Sequence, residues 1–155
     1  MVDNLTPEQR SLTMSRIRSR DTKVEMMVRR ALHLRGYRYR VNAGWLPGKP
    51  DIVFTKLRLV VFIDGDFWHG WRFDAWSDKL APYWRAKIAG NLARDERHKV
   101  SLRRDGWGVL RIWEHEVKSD LGHCIARIEQ RLARLKFVGA LRAKQVRPQR
   151  HRMRK

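Results

Sequence analysis

The stretch PDIVFTKLRLVVFIDGDFWHG (50–70) predicts the centre of the fold. Its two β-rich runs, DIVF (51–54) and LRLVVFID (57–64), are separated by the short link Thr55-Lys56, which predicts a β-hairpin. The second run is apolar on both faces, as is typical of a central, covered strand. Acids, a glycine, two large aromatic residues and a histidine follow it, and this mixture suits neither a buried strand nor a solvated loop.

The segments on either side of the hairpin alternate between helical and β patterns. Thr6-Pro7-Glu8 is a helix start, Asp21-Thr22 offers a second N-cap, and Gly36 is a plausible helix end. The predicted order is helix (6–18), helix (22–36), strands (37–41, 51–54 and 57–64), an aromatic loop (70–82), helix (83–106), strand (107–113) and helix (117–136). This order favours an α/β sandwich, in which helices flank a mixed central β-sheet.

Charge indicates the kind of partner. The 155 residues carry 35 Lys and Arg against 16 Asp and Glu, a formal net charge of +19. Such an excess favours a polyanion, usually nucleic acid, with a membrane surface as the rival. No apolar run is long enough to span a bilayer and no signal peptide is visible, so we expect a cytoplasmic protein.

The length fits one domain, which we assign to 1–137, with 1–18 as an arm and helix that contact DNA. The remaining segment, 138–155, holds seven Lys or Arg and no acid, and we expect a disordered basic tail. Removing those seven from the 35 leaves 28 basic residues against 16 acidic ones, so the body is basic in its own right. Cys124 is the one cysteine, which excludes an intrachain disulfide and a multi-cysteine zinc site.

Two aspartates lie at the ends of the predicted hairpin. Asp51 opens one strand and Asp64 ends the other, and two such carboxylates repel unless a cation sits between them or one takes a proton. In a protein that binds polyanions, Mg²⁺ is the cation that fits such a site best, because it takes hard oxygen ligands and leaves room for phosphate and water. The alternative is that Asp51 is a strand-start cap and Asp64 a turn residue. His69 has a pKa suited to proton transfer, although a lone histidine is more often structural.

Phe67 and Trp68 lie in a polar, bent context beside Gly65, Asp66 and His69. An ordinary aromatic pair belongs to the core. In a DNA-binding protein, however, exposed apolar side chains can wedge into the base stack, and this costs least at a mismatch. Met14 is a candidate second wedge, with ordinary helix packing as its alternative.

Five ordered blocks resemble the very short patch repair endonucleases. They are RSLTMSRIRSRDTKVE (10–25), LPGKPDIVF (46–54), VFIDGDFWHG (61–70), WRAKIAGNLARDERH (84–98) and GWGVLRIWEHE (106–116). The resemblance implies a restriction-endonuclease-like fold. It also implies an Mg²⁺-dependent enzyme that nicks duplex DNA on the 5′ side of the thymine in a T·G mismatch, the product of 5-methylcytosine deamination. A cytosine-5 DNA methyltransferase is then the natural companion, and a monomer suffices because one nick needs one active site.

The resemblance also implies residue roles. Asp51 and the backbone carbonyl of Ile63 match the metal contacts, and His69 matches the general base. Glu25 matches an acid that positions water bound to the metal, and Asp64 and Asp95 match supporting positions in the active site. Phe67, Trp68 and Met14 match the wedges beside the mispaired base. The candidate DNA-binding residues are Arg10, Arg16, Arg18, Lys49, Lys87 and Asn91.

The chain departs from the family pattern around a structural zinc site. Asp66 stands where family members usually have a cysteine, and the other ligand regions contain Trp71, Phe73 and His115. We therefore expect no zinc, and we expect Trp71, Phe73 and Trp76 to pack into one aromatic cluster that holds the loop.

Two alternatives stay open, and the departure from the family pattern supports the first of them. A related nicking enzyme that recognises methylated or hemimethylated cytosine is the first. A DNA-binding module without catalysis is the second, and it would require that Glu25, Asp51 and His69 have no catalytic role.

Overall fold

The computed structural model describes residues 5–17 and 20–145, and within them helices pack on both faces of a mixed β-sheet. The strands are β1 (Arg40–Val41), β2 (Ile52–Phe54), β3 (Leu59–Asp64) and β4 (Gly108–Trp113). The helices are α1 (Pro7–Arg16), α2 (Lys23–Leu34), α3 (Pro82–Arg104), α4 (Glu114–Ser119) and α5 (Leu121–Gln145). The predicted mixed α/β class is confirmed.

The sheet has the order β1-β2-β3-β4, and the predicted hairpin is its centre. β2 pairs antiparallel with β1 and β3, whereas β3 and β4 run parallel. One 3₁₀ turn and Arg58, in the left-handed conformation (φ 51°), make the hairpin link. The predicted strand 37–41 is shorter than expected, because Tyr37 and Tyr39 pack edge-on against Phe54 instead of extending the ladder.

The two faces of the sheet are covered by different helices. Side chains alternate across a strand, so Leu59, Val61 and Ile63 of β3 join one core with α2, α4 and α5. Val60 points to the opposite core, which contains Leu102 of α3. Both faces of β3 are therefore covered, as its continuous apolar run predicts.

The C-terminal region differs from the prediction in two ways. The expected single helix 117–136 is two helices, α4 and α5, because the chain turns at Asp120, whose Oδ1 accepts the backbone N–H of His123 (2.9 Å). The disordered tail expected from residue 138 is wrong for 138–145, which continue α5. Alanine, leucine, arginine and lysine favour extension of a helix that is already formed. Residues 146–155 lie outside the described part of the chain.

The N-terminal helices begin where the sequence predicts. Thr6 caps α1 and exchanges two hydrogen bonds with Gln9, and Thr22 caps α2. α1 has no buried residue, but Arg10 stacks on Tyr83 at the start of α3, with its guanidinium 4.1 Å from the ring centre. No helix in 5–17 or 20–145 is long and apolar enough to cross a membrane.

Candidate active site

The hairpin joins Asp51 to the far end of β3. The Asp51 N–H donates to the Val61 carbonyl (3.1 Å), and the Ile63 N–H donates to Asp51 Oδ2 (2.7 Å). The side chain of the strand-start acid is thus fixed one residue from Asp64. The predicted approach of the two hairpin ends is confirmed.

A pocket of about 320 Å³ opens at this end of the sheet. Its acidic lining residues are Glu25, Asp51, Asp64 and Asp95. Its basic and histidine lining residues are Lys49, His69, His98, Lys99 and Arg111. The predicted catalytic residues and Ile63 all border this one pocket.

Asp51 is the acid most strongly affected by its surroundings. Burial raises its pKa to about 7, and the charges of Glu25 and Asp64 act in the same direction. The hydrogen bond from the Ile63 N–H and the charge of Arg29 oppose the shift. Near neutral pH, Asp51 is therefore divided between its protonated and ionised forms unless a cation enters the pocket.

Asp64 is 4% exposed and pairs with Arg111 of β4. Burial raises the pKa of Asp64, although the charges of His69 and Arg111 counteract it. Arg111 also reaches Asp95 (3.3 Å), so one guanidinium joins two acids. Sequence reasoning missed Arg111, and the available signal was an arginine inside an otherwise apolar strand.

His69 forms a tight pair with Asp95 of α3. His69 Nδ1 lies 2.6 Å from Asp95 Oδ2, and Nε2 lies 3.5 Å from Asp64 Oδ1. Burial lowers the pKa of His69, but the Asp95 hydrogen bond and the two acidic charges outweigh it and the net pKa is raised. Burial likewise raises the pKa of Asp95, but the His69 hydrogen bond and charge outweigh it, so that pKa is lowered. In the neutral ring, Asp95 holds the proton on Nδ1 and leaves Nε2 as the basic atom.

Glu25 borders the pocket with a fully engaged carboxylate. It is 3% exposed, its Oε1 accepts from Thr22 Oγ1 (2.9 Å), and its Oε2 accepts from the Asp21 N–H (2.8 Å) and from Arg29 (3.1 Å). Glu25 therefore stabilises the start of α2, and its role toward water stays a prediction.

Phe67 and Trp68 are half-buried and lie in an aromatic cluster. Phe67 stacks on Trp76 (5.6 Å between ring centres), and Trp68 meets Trp84 edge-on (5.9 Å). Sequence reasoning missed Trp84, which also touches Phe67 (6.4 Å). We call Phe67, Trp68, Trp76 and Trp84 the aromatic wedge, after the role that the resemblance implies for Phe67 and Trp68, the two members that directly follow β3.

The cluster predicted from Trp71, Phe73 and Trp76 forms in part: the Trp76 indole N–H donates to the Trp71 carbonyl (2.7 Å), but the Trp71 ring packs elsewhere. Phe73 packs on Trp76, but Trp71 turns away and lies against His115 (4.7 Å). His115 Nδ1 is 2.7 Å from Asp66 Oδ1 and connects the loop to α4. The separation arises because parallel pairing of β3 and β4 brings α4 beside the loop, a long-range contact that local patterns do not reveal.

Three of the predicted DNA-binding residues, Arg10, Lys49 and Asn91, lie beside the pocket or the wedge. Asn91 Nδ2 donates to the Trp68 carbonyl (2.9 Å) and so also supports the wedge. Met14 is half-buried on α1, the helix that contacts Tyr83 and Trp84 through Arg10. Arg16, Lys49 and Lys87 are exposed, whereas Arg18 lies outside the described residues.

No group of three or more His, Cys, Asp or Glu side chains in the described residues forms a ready-made metal site. Mg²⁺ does not require one, because it often binds through one or two carboxylates together with substrate phosphates and water. The donors that fit are a free oxygen of Asp51 and the Ile63 backbone, in a pocket where a cation relieves acidic repulsion.

A basic α/β protein with clustered acids, a hydrogen-bonded histidine and an adjacent aromatic wedge has the features of a nuclease. Residues 2–75 match the family described as DNA mismatch endonuclease Vsr. The chain is 45% identical over 130 residues to the type II nicking enzyme V.XorIIP of Xanthomonas oryzae, covering 83% of this chain and 95% of that protein. It is 38% identical to the type II nicking enzyme V.NmeDIP of Neisseria meningitidis (83% and 89%) and 36% identical to the DNA mismatch endonuclease Vsr of Escherichia coli (74% and 74%).

The chain belongs to the Vsr family of DNA mismatch endonucleases. It is a DNA endonuclease of the nicking type, so duplex DNA is its substrate class. The resemblance on which the residue roles depend is confirmed at the family level.

Proposed function

We propose that this protein nicks one strand of duplex DNA on the 5′ side of the thymine in a T·G mismatch, with Mg²⁺ as cofactor. The observation that carries the proposal is the aromatic wedge directly beside a pocket lined by Asp51, Ile63 and His69. A wedge beside the hydrolytic groups couples cleavage to a weakened base pair, because unstacking costs least at a mismatch.

Asp51 and the Ile63 carbonyl are the groups that we propose hold Mg²⁺. The Ile63 N–H fixes the Asp51 carboxylate at 2.7 Å, so the ligand is oriented before any ion arrives. A divalent ion supplies charge neutralisation for the scissile phosphate and lowers the pKa of water. Lys49 and Lys99 border the same pocket and provide positive charge for a phosphate.

His69 is the proposed general base. Asp95 orients the ring through Nδ1, and Nε2 then takes the proton from the attacking water. The arrangement resembles the acid–histidine pair of a catalytic triad, in which the acid holds the tautomer and favours the charged ring. Asp64 and Arg111 complete the proposed support, because Arg111 balances the acids that surround the histidine.

We further propose that the sheet and helices form a restriction-endonuclease-like fold, and that the protein acts as a monomer on lesions left by a cytosine-5 DNA methyltransferase. The pocket and its adjoining wedge lie together within one protomer. This arrangement supports a monomer, because one protomer carries every group that the mechanism uses.

The test is a panel of matched, T·G-containing and hemimethylated duplexes, each strand labelled separately, incubated with Mg²⁺ and resolved on a denaturing gel. We expect one nick, 5′ of the mispaired thymine, and none without divalent metal. Equal cleavage of matched and T·G duplexes, or preferential cleavage of the hemimethylated one, would remove the lesion assignment.

Asp51→Ala tests the active site in the same assay. We expect nicking to fall by more than about 100-fold, since even the groups behind metal ligands cost 10–100-fold, while binding to the T·G duplex is kept. Asp74→Ala is the matched control, because Asp74 is an exposed acid in the loop between β3 and α3. Nicking by Asp51→Ala at the control rate would contradict the metal assignment.

A further inference from the structure

Trp45 is an exposed tryptophan in the loop that joins β1 to β2. Its side chain is 60% exposed, although tryptophan is highly buried on average. The guanidinium of Arg40, itself exposed, lies 6.0 Å from its ring centre. An exposed aromatic ring beside an arginine is the combination that binds nucleic acid, through ring contact with sugars or bases and a cation for phosphate.

The loop that contains Trp45 is joined directly to the active site. The Ala43 N–H donates to the Pro50 carbonyl (3.1 Å) and the Asn42 N–H donates to the Asp51 carbonyl (3.4 Å), which closes the loop at Asp51. Gly48 and Lys49 of the same loop border the pocket. The loop that carries Trp45 is therefore anchored at the proposed metal ligand.

Contacts along α3 show on which side of the pocket the loop lies. Trp84 belongs to the wedge, Asp95 binds His69, and a Cβ at Gly48 would meet His98 Nδ1 at 3.0 Å. The wedge, the histidine and the loop thus follow one another along α3. The 14 residues from Trp84 to His98 span about 21 Å at 1.5 Å per residue, the length of about six base pairs at 3.4 Å each.

We propose that Trp45 and Arg40 form a second DNA contact, which holds duplex DNA on the side of the cleaved phosphodiester away from the aromatic wedge. The contact rests on the duplex-nicking activity and not on the T·G specificity. Trp45 packs against a deoxyribose or base edge and Arg40 neutralises a phosphate, so the wedge and this contact grip the duplex on either side of the pocket.

The test combines Trp45→Ala with shortened DNA. Affinity is measured by fluorescence anisotropy in EDTA, so that no strand is cut, on a long T·G duplex and on two versions that keep about three base pairs on one side of the nick position. We expect Trp45→Ala to lower affinity for the long duplex about 5- to 10-fold, the lower part of the range for one aromatic–base contact. For one of the two shortened duplexes, the affinity of the wild type should fall by the same factor relative to the long duplex. The affinity of Trp45→Ala should not fall further on that shortened duplex.

Two variants sharpen the comparison. Trp45→Phe keeps a ring and should retain most of the affinity. Phe137→Ala removes another exposed aromatic ring, on α5, and should bind all three duplexes like the wild type.

Two outcomes would overturn the contact: wild-type affinity of Trp45→Ala for all three duplexes, or an equal loss on all three. Failure of the lesion assignment looks different, because the wild type would then bind matched and T·G duplexes equally. The loss of affinity on shortening one flank would still appear when the same long and shortened duplexes are made without the mismatch.

Discussion

At the scale of single residues, the charged side chains of the active site fix one another's positions and shift one another's pKa values. The Ile63 N–H holds Asp51, Arg111 joins Asp64 to Asp95, and Asp95 in turn holds His69. The net pKa of His69 is raised because these acids outweigh its burial. A base with a raised pKa is protonated at low pH, so nicking should increase as the pH rises through that pKa.

Asp95→Asn should move the acidic limb of the pH–rate profile to lower pH. The substitution removes the charge and the carboxylate hydrogen bond that raise the pKa of His69, so the ring becomes neutral at a lower pH. The plateau rate should fall by about 100-fold, the lower end of a general base's contribution, because the ring loses its orienting partner. The measurement is the single-turnover nicking rate against pH.

Asp74→Asn serves as the control for this pH shift, since Asp74 is an exposed acid in the loop between β3 and α3. An acidic limb that stays in place or moves upward in Asp95→Asn would contradict the role of Asp95 in setting the pKa of His69.

At the scale of elements, the loop between β3 and α3 is the part that joins catalysis to recognition. It has two short 3₁₀ turns, and side chains of α3 and α4 fix its first half. Asn91 holds Trp68 from α3, while His115 of α4 holds Asp66 and packs on Trp71. Gly70 lies within it at φ +67°, where a Cβ would come within 2.9 Å of Leu92.

His115→Ala should loosen this loop. The substitution removes one hydrogen bond and the packing of one ring, and because both partners of that hydrogen bond are partly exposed, the cost should be only about 1 kcal/mol. For a chain of this size, the melting temperature should fall by about 2–4 °C, as followed by circular dichroism. His33→Ala on α2 is the matched control, since His33 is exposed. A His115→Ala variant that melts with the wild type would show that the Asp66–His115 contact does not stabilise the loop.

At the scale of the whole molecule, positive charge is distributed well beyond the pocket. The net charge is +19, and the segment 146–155 alone contains five Lys or Arg residues and no acid. Binding to DNA should therefore be steeply salt-dependent, because each phosphate that is neutralised releases condensed counterions.

Deletion of 146–155 tests how much of this charge meets DNA, and the cut follows Gln145 so that the described part of α5 is kept. The slope of log affinity against log salt should become shallower by about 0.9 for each phosphate that the shortened protein no longer neutralises, up to about 4.5 for all five charges. A full-length variant with Arg147, Arg150, Arg152, Arg154 and Lys155 changed to Gln should show the same reduction in slope. An unchanged slope in both proteins would mean that this segment does not touch DNA.

The sequence by itself determined the features that depend on near neighbours. The hairpin that brings Asp51 to Ile63, the caps at Thr6 and Thr22, and the family blocks all involve residues close along the chain, where local geometry leaves few choices. The tertiary structure alone decided what lies across from them. Parallel pairing of β3 with β4 put Arg111 among the acids and His115 beside Asp66, and α3 carried Asp95 to His69. These contacts join residues 16 to 49 positions apart. They are selected by how the helices pack on the two faces of the sheet, and local periodicity and spacing do not encode that packing.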